Sequence, residues 1–132
     1  MRVSASIKNG FNQNEIIVKT DASAKTLEIP SKPTGYGSSI NGAELLLLSL
    51  ATCFCNDIYR EAAKRNINVS DVQVIVTSDF GAEGEPGSNF QYKASVVSDA
   101  PQSVIEELVR DTDKVAEIHN TLRKGVSITL AS

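Results

Sequence analysis

The stretch "NGAELLLLSLATCFCNDIYREAAKRN", residues 41–66, predicts a single long helix. Asn41 suits the start of this helix, because an Asn side chain accepts hydrogen bonds from the free backbone N–H groups of a first turn. Glu44 follows three residues later and can reach back to the backbone N–H of Asn41, which is a variant of the capping box. The helix is therefore expected to begin at Asn41 and to run to about Arg65 or Asn66.

The first half of this helix is apolar all the way round. Four leucines follow one another at positions 45–48, and a helix of that kind is buried on every side. In a chain of 132 residues, the size of one domain, such burial predicts a central helix wrapped by a sheet, or a partner subunit. We therefore expect a single domain, residues 1–132, that forms a homodimer.

Composition and charge argue against nucleic-acid and membrane partners. The net charge is −3 and aromatic residues make up 5% of the chain, so a basic face with stacking side chains is not expected. The N-terminal "MRVSASIKNG" has no apolar core of signal-peptide length, and the longest apolar run, "LLLLSLATCFC", is shorter than the roughly 20 residues of a membrane span. These features predict a soluble, cytoplasmic protein whose thiols are kept reduced.

Strand signals lie on both sides of the long helix. Residues 1–30 predict three short strands in an antiparallel meander, with Asn9-Gly10 as the first tight turn. After the helix, "VSDVQVIVTSDF" and "NFQYKASVVS" both alternate between apolar and polar residues and predict a second hairpin. Pro86-Gly87 suits the central pair of a type II turn between these two strands.

The C-terminal third predicts two helical segments and a last strand. Pro101 can occupy a first helical turn, before an apolar stripe. A further helical segment is expected to end near Gly125, before the strand "VSITL", residues 126–130. The stripe of the first segment is Val104, Ile105, Leu108 and Val109, and that of the second is Val115, Ile118 and Leu122. The whole order of elements is typical of the α+β class.

The two cysteines, Cys53 and Cys55, are two residues apart on the predicted helix. At about 100° per residue they project roughly 160° apart, so a disulfide between them would require the helix to unwind. Zinc motifs need three or four converging Cys or His ligands, and the chain has two Cys and one His. Neither an intrahelical disulfide nor a metal site or other cofactor is predicted.

The same geometry separates the two thiols by environment. Cys53 shares a polar stripe with Asp57 and Arg60, whereas Cys55 falls among apolar residues and is expected to pack in the core. The thiolate is the nucleophile, and a nearby guanidinium would favour it by lowering the thiol pKa. Cys53, with Arg60 as its partner, is therefore the candidate for chemistry. The alternative is that Cys53 is a small buried hydrophobe and Arg60 a solvated helix residue.

Residues 41–80, "NGAELLLLSLATCFCNDIYREAAKRNINVSDVQVIVTSDF", and the tail "HNTLRKGVSITL" resemble the OsmC/Ohr family of thiol-dependent hydroperoxide reductases. The resemblance implies an intertwined homodimer in which two long central helices are enclosed by antiparallel sheets from both chains. It also implies that Cys53 is the peroxidatic cysteine, which attacks the peroxide and becomes a sulfenic acid. Glu44 matches the acidic residue at the start of the family's helix.

The chain departs from the family pattern near both ends of this site. Ala116 stands where family peroxidases carry a resolving cysteine, so an external thiol would have to resolve the sulfenic acid. In the better-defined branches the acid lies ten residues before the cysteine, which is Ala43 here, so Glu44 can equally be a helix cap. The assisting arginine of those branches comes from the N-terminal region, where only Arg2 is available.

These residues support two main functions. The first is the reduction of organic or inorganic hydroperoxides through Cys53, with an external thiol reductant. The second is a non-catalytic dimer that binds a small apolar ligand in its interface pocket, and a purely structural subunit is a third. His119, the only histidine, is expected to be a core residue with satisfied ring nitrogens, or else a polar partner of Cys53.

Overall fold

The computed structural model describes residues 1–131. It confirms the α+β class, with antiparallel sheets and one long helix. The chain divides into two compact units, residues 1–45 and the residues from Leu46 onward, and the single domain over the whole chain stays a prediction. In chain order the elements are β1 Val3–Gly10, β2 Gln13–Thr20, β3 Ser23–Leu27, α1 Gly42–Lys64, β4 Val69–Asp79, β5 Ser88–Ser98, α2 Gln102–Val115 and α3 Glu117–Lys124.

The first unit contains the predicted meander, a three-stranded antiparallel sheet in the order β1-β2-β3. The predicted turn at Asn9-Gly10 is wrong, because Gly10 still pairs with Gln13. The turn is Phe11-Asn12 instead, and Asn12 has a φ of 54°. Asn tolerates the left-handed conformation better than most residues, so a single Asn serves here in place of the Asn-Gly pair.

Helix α1 has the predicted ends. The backbone N–H of Asn41 donates to Glu44 Oε1 at 3.0 Å, and the backbone N–H of Glu44 donates to Asn41 Oδ1 at 2.8 Å, which confirms the capping box. At the other end Asn66 has a φ of 54°, and the N–H of Ile67 donates to the carbonyl of Ala62 at 2.9 Å, as in a Schellman motif. No helix in residues 1–131 is long and apolar enough to cross a membrane.

The core of the second unit lies between α1 and one face of the β4-β5 hairpin. Phe54, Ile58 and Ala62 of α1 are fully or almost fully buried, together with Leu108 and Ala116. The inward residues of the hairpin alternate along each strand, and they include Val72, Val74, Tyr92, Ala94 and Val96.

The predicted turn at Pro86-Gly87 is wrong. The N–H of Glu85 donates to the carbonyl of Ala82 at 3.1 Å, and Gly84 has a φ of 80°, so the turn lies three residues earlier. Gly87 does not have the positive φ that the third position of a type II turn requires. Its missing side chain serves packing instead, because a Cβ there would lie 2.5 Å from Cζ of Phe80.

The C-terminal helices differ in detail from the prediction. Pro101 is the N-cap of α2 and not a first-turn residue, and Ile105 and Leu108 of the predicted stripe are buried. Ala116 has an extended backbone that separates α2 from α3, so the helical periodicity does not continue across it. As a result Ala116 and His119 are the buried residues here, whereas the stripe of Val115, Ile118 and Leu122 is exposed by 36–43%.

Two further expectations fail within the single chain. Residues 126–130 form no strand, because a strand needs a hydrogen-bonded neighbour and no strand in residues 1–131 pairs with them. Ile128 and Leu130 are 94% and 98% exposed. The first half of α1 is not buried on every side either, since Leu48 remains 58% exposed.

Candidate functional site

Cys53 lies in the middle of α1 with its thiol among carboxylates. Sγ donates to Asp57 Oδ2 at 3.3 Å, and Glu117 Oε2 lies 4.0 Å away. Asp57 is on the next turn of the same helix, since residues four apart share a face. Glu117 is the first residue of α3, so the site joins two helices that are far apart in the sequence.

Arg60 bonds to the same two carboxylates. Its Nη1 lies 3.2 Å from Asp57 Oδ1 and 2.8 Å from Glu117 Oε1, and its Nε lies 3.0 Å from Glu61 Oε2. We call Cys53, Asp57, Arg60 and Glu117 the thiol cluster. The predicted polar stripe is thus confirmed as a bonded group, although Asp57 and Glu61 are buried and not solvated.

The pKa of the Cys53 thiol is raised, first by burial and then by its bond to Asp57 and the charges of Asp57 and Glu117. A bond from the backbone at Ile118 opposes this shift. The expectation that Arg60 lowers the thiol pKa is therefore wrong. The guanidinium is bonded to carboxylates, and the negative charges of Asp57 and Glu117 are what act on the thiol.

The two carboxylates of the thiol cluster differ in basicity. Burial raises the pKa of Asp57, whose side chain is 7% exposed. A backbone hydrogen bond at the start of α3, followed by the bond from Arg60, lowers the pKa of Glu117, which is 62% exposed. Asp57 is therefore the stronger proton acceptor, and it is the one hydrogen-bonded to the thiol.

The family model described as "OsmC-like protein" matches residues 35–131. The chain belongs to the OsmC-like family. Among the solved structures that share its fold is an OsmC-like protein from Mycoplasma pneumoniae, at 21% identity over 93% of this chain and 89% of that one, with a TM-score of 0.63. An OsmC-like hydroperoxide resistance protein from Jannaschia sp. CCS1 is 18% identical over 92% of this chain and 85% of that one, with a TM-score of 0.57. The organic hydroperoxide resistance protein OsmC from Legionella pneumophila is 22% identical over 93% of this chain and 90% of that one, with a TM-score of 0.57. No curated protein matches the chain.

Glu44, the acid that the OsmC-like resemblance assigns to the site, serves as a helix cap. Its carboxylate accepts the N–H of Asn41 in the first turn of α1, nine residues before Cys53. The carboxylates of the thiol cluster are those of Asp57 and Glu117. The catalytic role of Glu44 stays a prediction.

Ala116 is fully buried between α2 and α3, and the residue that follows it reaches the thiol. The position at which the OsmC-like resemblance places a resolving cysteine is thus next in sequence to a residue whose carboxylate faces Cys53. The sequence analysis did not name Glu117 as a site residue. Its position could have been predicted, because the neighbour of a residue aligned with a resolving cysteine should lie near the peroxidatic cysteine. The role of Asp57 was signalled by its spacing of four from Cys53.

Cys55 is free and only partly buried, like Cys53, so the expectation that it packs in the core is wrong. Burial, and then the charge of Asp71, raise the pKa of the Cys55 thiol. Within residues 1–131, Cys55 makes no hydrogen bond to a carboxylate, in contrast to Cys53.

The thiol cluster is poorly suited to a metal ion. Cys53, Asp57 and Glu117 place one sulfur and two oxygen atoms within 4.8 Å of one another, which would satisfy the ligand count. Both carboxylates, however, are already bonded to Arg60, whose positive charge repels a cation. The arrangement is better suited to moving a proton than to holding an ion.

His119 lies in the core of the second unit and does not bond to Cys53. It is 5% exposed, with its ring centroid 4.6 Å from that of Tyr92 and 5.5 Å from that of Phe54. Neither ring nitrogen has a hydrogen-bond partner among the described residues, so the expectation of a satisfied core histidine is wrong. Burial is also the largest cause of its lowered pKa.

Proposed function

We propose that this OsmC-like protein reduces hydroperoxides through Cys53, and that an external thiol completes the cycle. The observation that carries the proposal is the hydrogen bond from the Cys53 thiol to Asp57, within a cluster that also holds Arg60. Family membership supports the reaction class, because relatives of known structure are named hydroperoxide resistance proteins.

The first step joins sulfur to oxygen. As the thiol proton passes to Asp57, sulfur attacks one peroxide oxygen and the O–O bond breaks. Sulfur is oxidised by two electrons to the sulfenic acid, the peroxide is reduced, and the departing oxygen takes the proton from Asp57 to leave as an alcohol or water. Arg60 holds the Asp57 carboxylate in place and offers positive charge to the departing oxygen.

The raised pKa of Cys53 gives Asp57 its role. A free thiol is ionised to only about a few per cent at pH 7, and a raised pKa lowers that fraction further. A thiol of higher pKa is, however, the stronger nucleophile once it loses its proton. A base already hydrogen-bonded to the thiol can remove the proton during the attack, so a standing population of thiolate is not required.

The second half of the cycle needs a thiol from outside. Ala116 cannot resolve a sulfenic acid, and Cys55 projects from another side of α1. An external thiol would condense with the sulfenic acid to give a mixed disulfide and water. A second external thiol would then attack the mixed disulfide, which restores the Cys53 thiol and releases the two external thiols as a disulfide.

A homodimer is part of the same proposal. Leu45 and Leu48 of α1 are 38% and 58% exposed in the single chain, and the segment that contains Ile128 and Leu130 has no strand partner in residues 1–131. Exposed apolar surface of this extent marks an interaction site, and a second copy of the chain is the partner that the family resemblance implies.

The test is peroxide consumption by wild type, Cys53→Ser and Cys55→Ser. Each protein is mixed with cumene hydroperoxide and dithiothreitol, and peroxide loss is followed over time. We expect Cys53→Ser to fall to the rate of the reductant alone, and Cys55→Ser, the matched control, to stay within about twofold of wild type. Equal rates for wild type and Cys53→Ser would contradict the proposal.

The raised thiol pKa also favours a second candidate, a non-catalytic dimer that binds a small apolar ligand at its interface. In that case Cys53 is a packing residue whose carboxylate neighbours suppress its reactivity. Steady peroxide consumption that requires Cys53 excludes this candidate, whereas no consumption together with a saturable apolar ligand supports it.

A further inference from the structure

The thiol cluster exposes the sulfur of Cys53 to more negative than positive charge. Asp57 Oδ2 lies 3.3 Å from Sγ, and Glu117 Oε2 lies 4.0 Å from it. Arg60 Nη1 bonds to the other oxygen of each carboxylate, at 3.2 Å from Asp57 Oδ1 and 2.8 Å from Glu117 Oε1. Two carboxylates thus face the thiol and share one guanidinium, which leaves one negative charge without a counter-charge.

The next positive charges along α1 are bonded to a different acid. Lys64 Nζ lies 3.0 Å from Glu61 Oε2, and Arg65 Nη1 lies 3.2 Å from Glu61 Oε1. Arg60 also bonds to Glu61, at 3.0 Å from Nε, so its charge is shared among three carboxylates. The charges of Lys64 and Arg65 therefore offset that of Glu61 and not the negative charge beside the thiol.

Glu117 is the acid of the thiol cluster that meets solvent. Its side chain is 62% exposed, against 38% for Arg60 and 7% for Asp57. A backbone hydrogen bond at the start of α3, followed by the bond from Arg60, keeps the pKa of Glu117 below its usual range, so the carboxylate is ionised at neutral pH. A charged solute that approaches the sulfur therefore interacts with Glu117, which attracts a cation and repels an anion.

Oxidation of Cys53 leaves these charges in place, because a sulfenic acid adds a neutral oxygen to the sulfur. The thiol that resolves the sulfenic acid must bring its own sulfur to Sγ, next to both carboxylates. A two-carbon spacer between sulfur and nitrogen lets an ammonium group reach Glu117 Oε2, 4.0 Å away, while the sulfur contacts Sγ. A carboxylate on the same spacer would lie beside Glu117 and be repelled by it.

We propose that the thiol cluster selects its external reductant by charge and accepts aminothiols, which carry an ammonium group near the thiol, in preference to thiols that carry a carboxylate. Glu117 is the specificity-determining residue. The aminothiol sulfur forms a bond to Sγ, the S–O bond of the sulfenic acid breaks, and its oxygen leaves as water with the proton of the aminothiol. The Cys53 sulfur is reduced and the aminothiol sulfur is oxidised. This selection rests on the proposed function, because it needs the sulfenic acid of Cys53 to form.

The test follows the reaction of the sulfenic acid with three small thiols. Cys55→Ser protein is treated with one equivalent of cumene hydroperoxide, and then with 2-aminoethanethiol, 3-mercaptopropionate or the neutral 2-mercaptoethanol at pH 7. Mass spectrometry of quenched samples gives the rate at which the sulfenic acid is lost. Each rate is divided by that of the same thiol with 2-hydroxyethyl disulfide, which corrects for differences in thiol pKa and nucleophilicity. We expect 2-aminoethanethiol to be about tenfold faster than 3-mercaptopropionate at low salt, with 2-mercaptoethanol between them.

Two variants in the same background assign the preference to Glu117. Glu117→Gln keeps an oxygen that accepts the bond from Arg60 but removes the charge, so the preference should fall to about twofold. Glu107→Gln, the matched control, removes the charge of an exposed acid of α2 outside the thiol cluster and should keep a preference of about tenfold. Raising the salt from about 10 mM to about 0.5 M should also reduce the preference, which decides the question if Glu117→Gln does not fold.

The outcomes separate this selection from peroxide reduction itself. Equal corrected rates for the three thiols, or a preference that survives both Glu117→Gln and high salt, would overturn the selection and leave the proposed function intact. A protein that forms no sulfenic acid would contradict the proposed function and the selection together.

Discussion

Cys53 and Cys55 lie two residues apart on one helix, are both partly buried and both have raised pKa values, yet their surroundings differ. Cys53 is bonded to Asp57 and faces Glu117 at the start of α3, whereas the pKa of Cys55 is raised by burial and by the charge of Asp71. Exposure and pKa direction alone do not distinguish a reactive thiol from a packing one. The hydrogen-bonded proton acceptor distinguishes them here.

The largest expected effect comes from removing that acceptor. Asp57→Asn should slow peroxide reduction by about a hundredfold, because general-base catalysis contributes about 10² to 10⁴. The same change removes a negative charge beside Cys53, so alkylation of Cys53 by iodoacetamide at pH 8 should become faster. Both rates are measured on one preparation in a Cys55→Ser background. Parallel slowing of both reactions would indicate a structural defect and contradict the role of Asp57.

The pH dependence of alkylation is expected to follow the raised pKa of Cys53. Because a raised pKa keeps the thiol protonated, the alkylation rate should increase about tenfold per pH unit from pH 7 to about 8.5, without reaching a plateau. Cys55→Ser supplies the Cys53 rate and Cys53→Ser supplies the Cys55 rate. A plateau below pH 8 in Cys55→Ser would show a lowered pKa and would contradict the electrostatics of the thiol cluster.

Glu61 should contribute to the loss of protein stability at low pH. Hydrogen bonds from Lys64, Arg60 and Arg65 lower the pKa of Glu61 to about 2. A carboxylate with a lowered folded-state pKa stabilises the fold above its unfolded pKa of about 4.3 and loses this effect as the pH falls towards the folded value. The urea midpoint should therefore fall between about pH 4.3 and 2 by less in Glu61→Gln than in wild type.

The control for this prediction is the midpoint at pH 7. It should be lower in Glu61→Gln than in wild type, because Glu61 is ionised at pH 7 and the neutral glutamine cannot form its ion pairs. Identical midpoints of the two proteins at pH 7 and pH 3 would show that these ion pairs add nothing to the free energy of unfolding.

The smallest effect is expected at Glu44. Glutamine can accept the same N–H of Asn41, so Glu44→Gln should retain the capping box, the thermal midpoint and the peroxide rate. Glu44→Ala should lower the free energy of unfolding by about 1 kcal/mol at an unchanged peroxide rate per folded molecule. A loss of peroxide rate in Glu44→Gln at unchanged stability would instead give Glu44 the catalytic role that the family resemblance suggests.

Much of the fold could be predicted because its signals are local. The ends of α1 follow from Asn41, Glu44 and the Asn at position 66, and the β4-β5 hairpin follows from alternation along its strands. The turn at Gly84 was missed because Pro86-Gly87 has the more typical turn sequence, while packing against Phe80 decides the use of Gly87. The strand at residues 126–130 was overpredicted because alternation indicates a strand but does not supply a partner.

The site could be predicted only in part. Cys53 and its stripe follow from helical spacing, since Asp57 and Arg60 lie on the same helix. Glu117 comes from another helix, so helical spacing along α1 could not place it at the thiol. The sign of the thiol pKa shift was wrong for the same reason: spacing places Arg60 near Cys53 but does not reveal that three carboxylates bind its guanidinium.

The most direct test of peroxide reduction by Cys53 is to trap the sulfenic acid on its sulfur. The reduced protein is treated with one equivalent of cumene hydroperoxide in the presence of dimedone, and the peptide that contains both cysteines is sequenced by mass spectrometry. We expect a dimedone adduct on Cys53 and none on Cys55, with the adduct lost in Cys53→Ser. An unlabelled Cys53, or equal labelling of the two cysteines, would contradict peroxide reduction by Cys53.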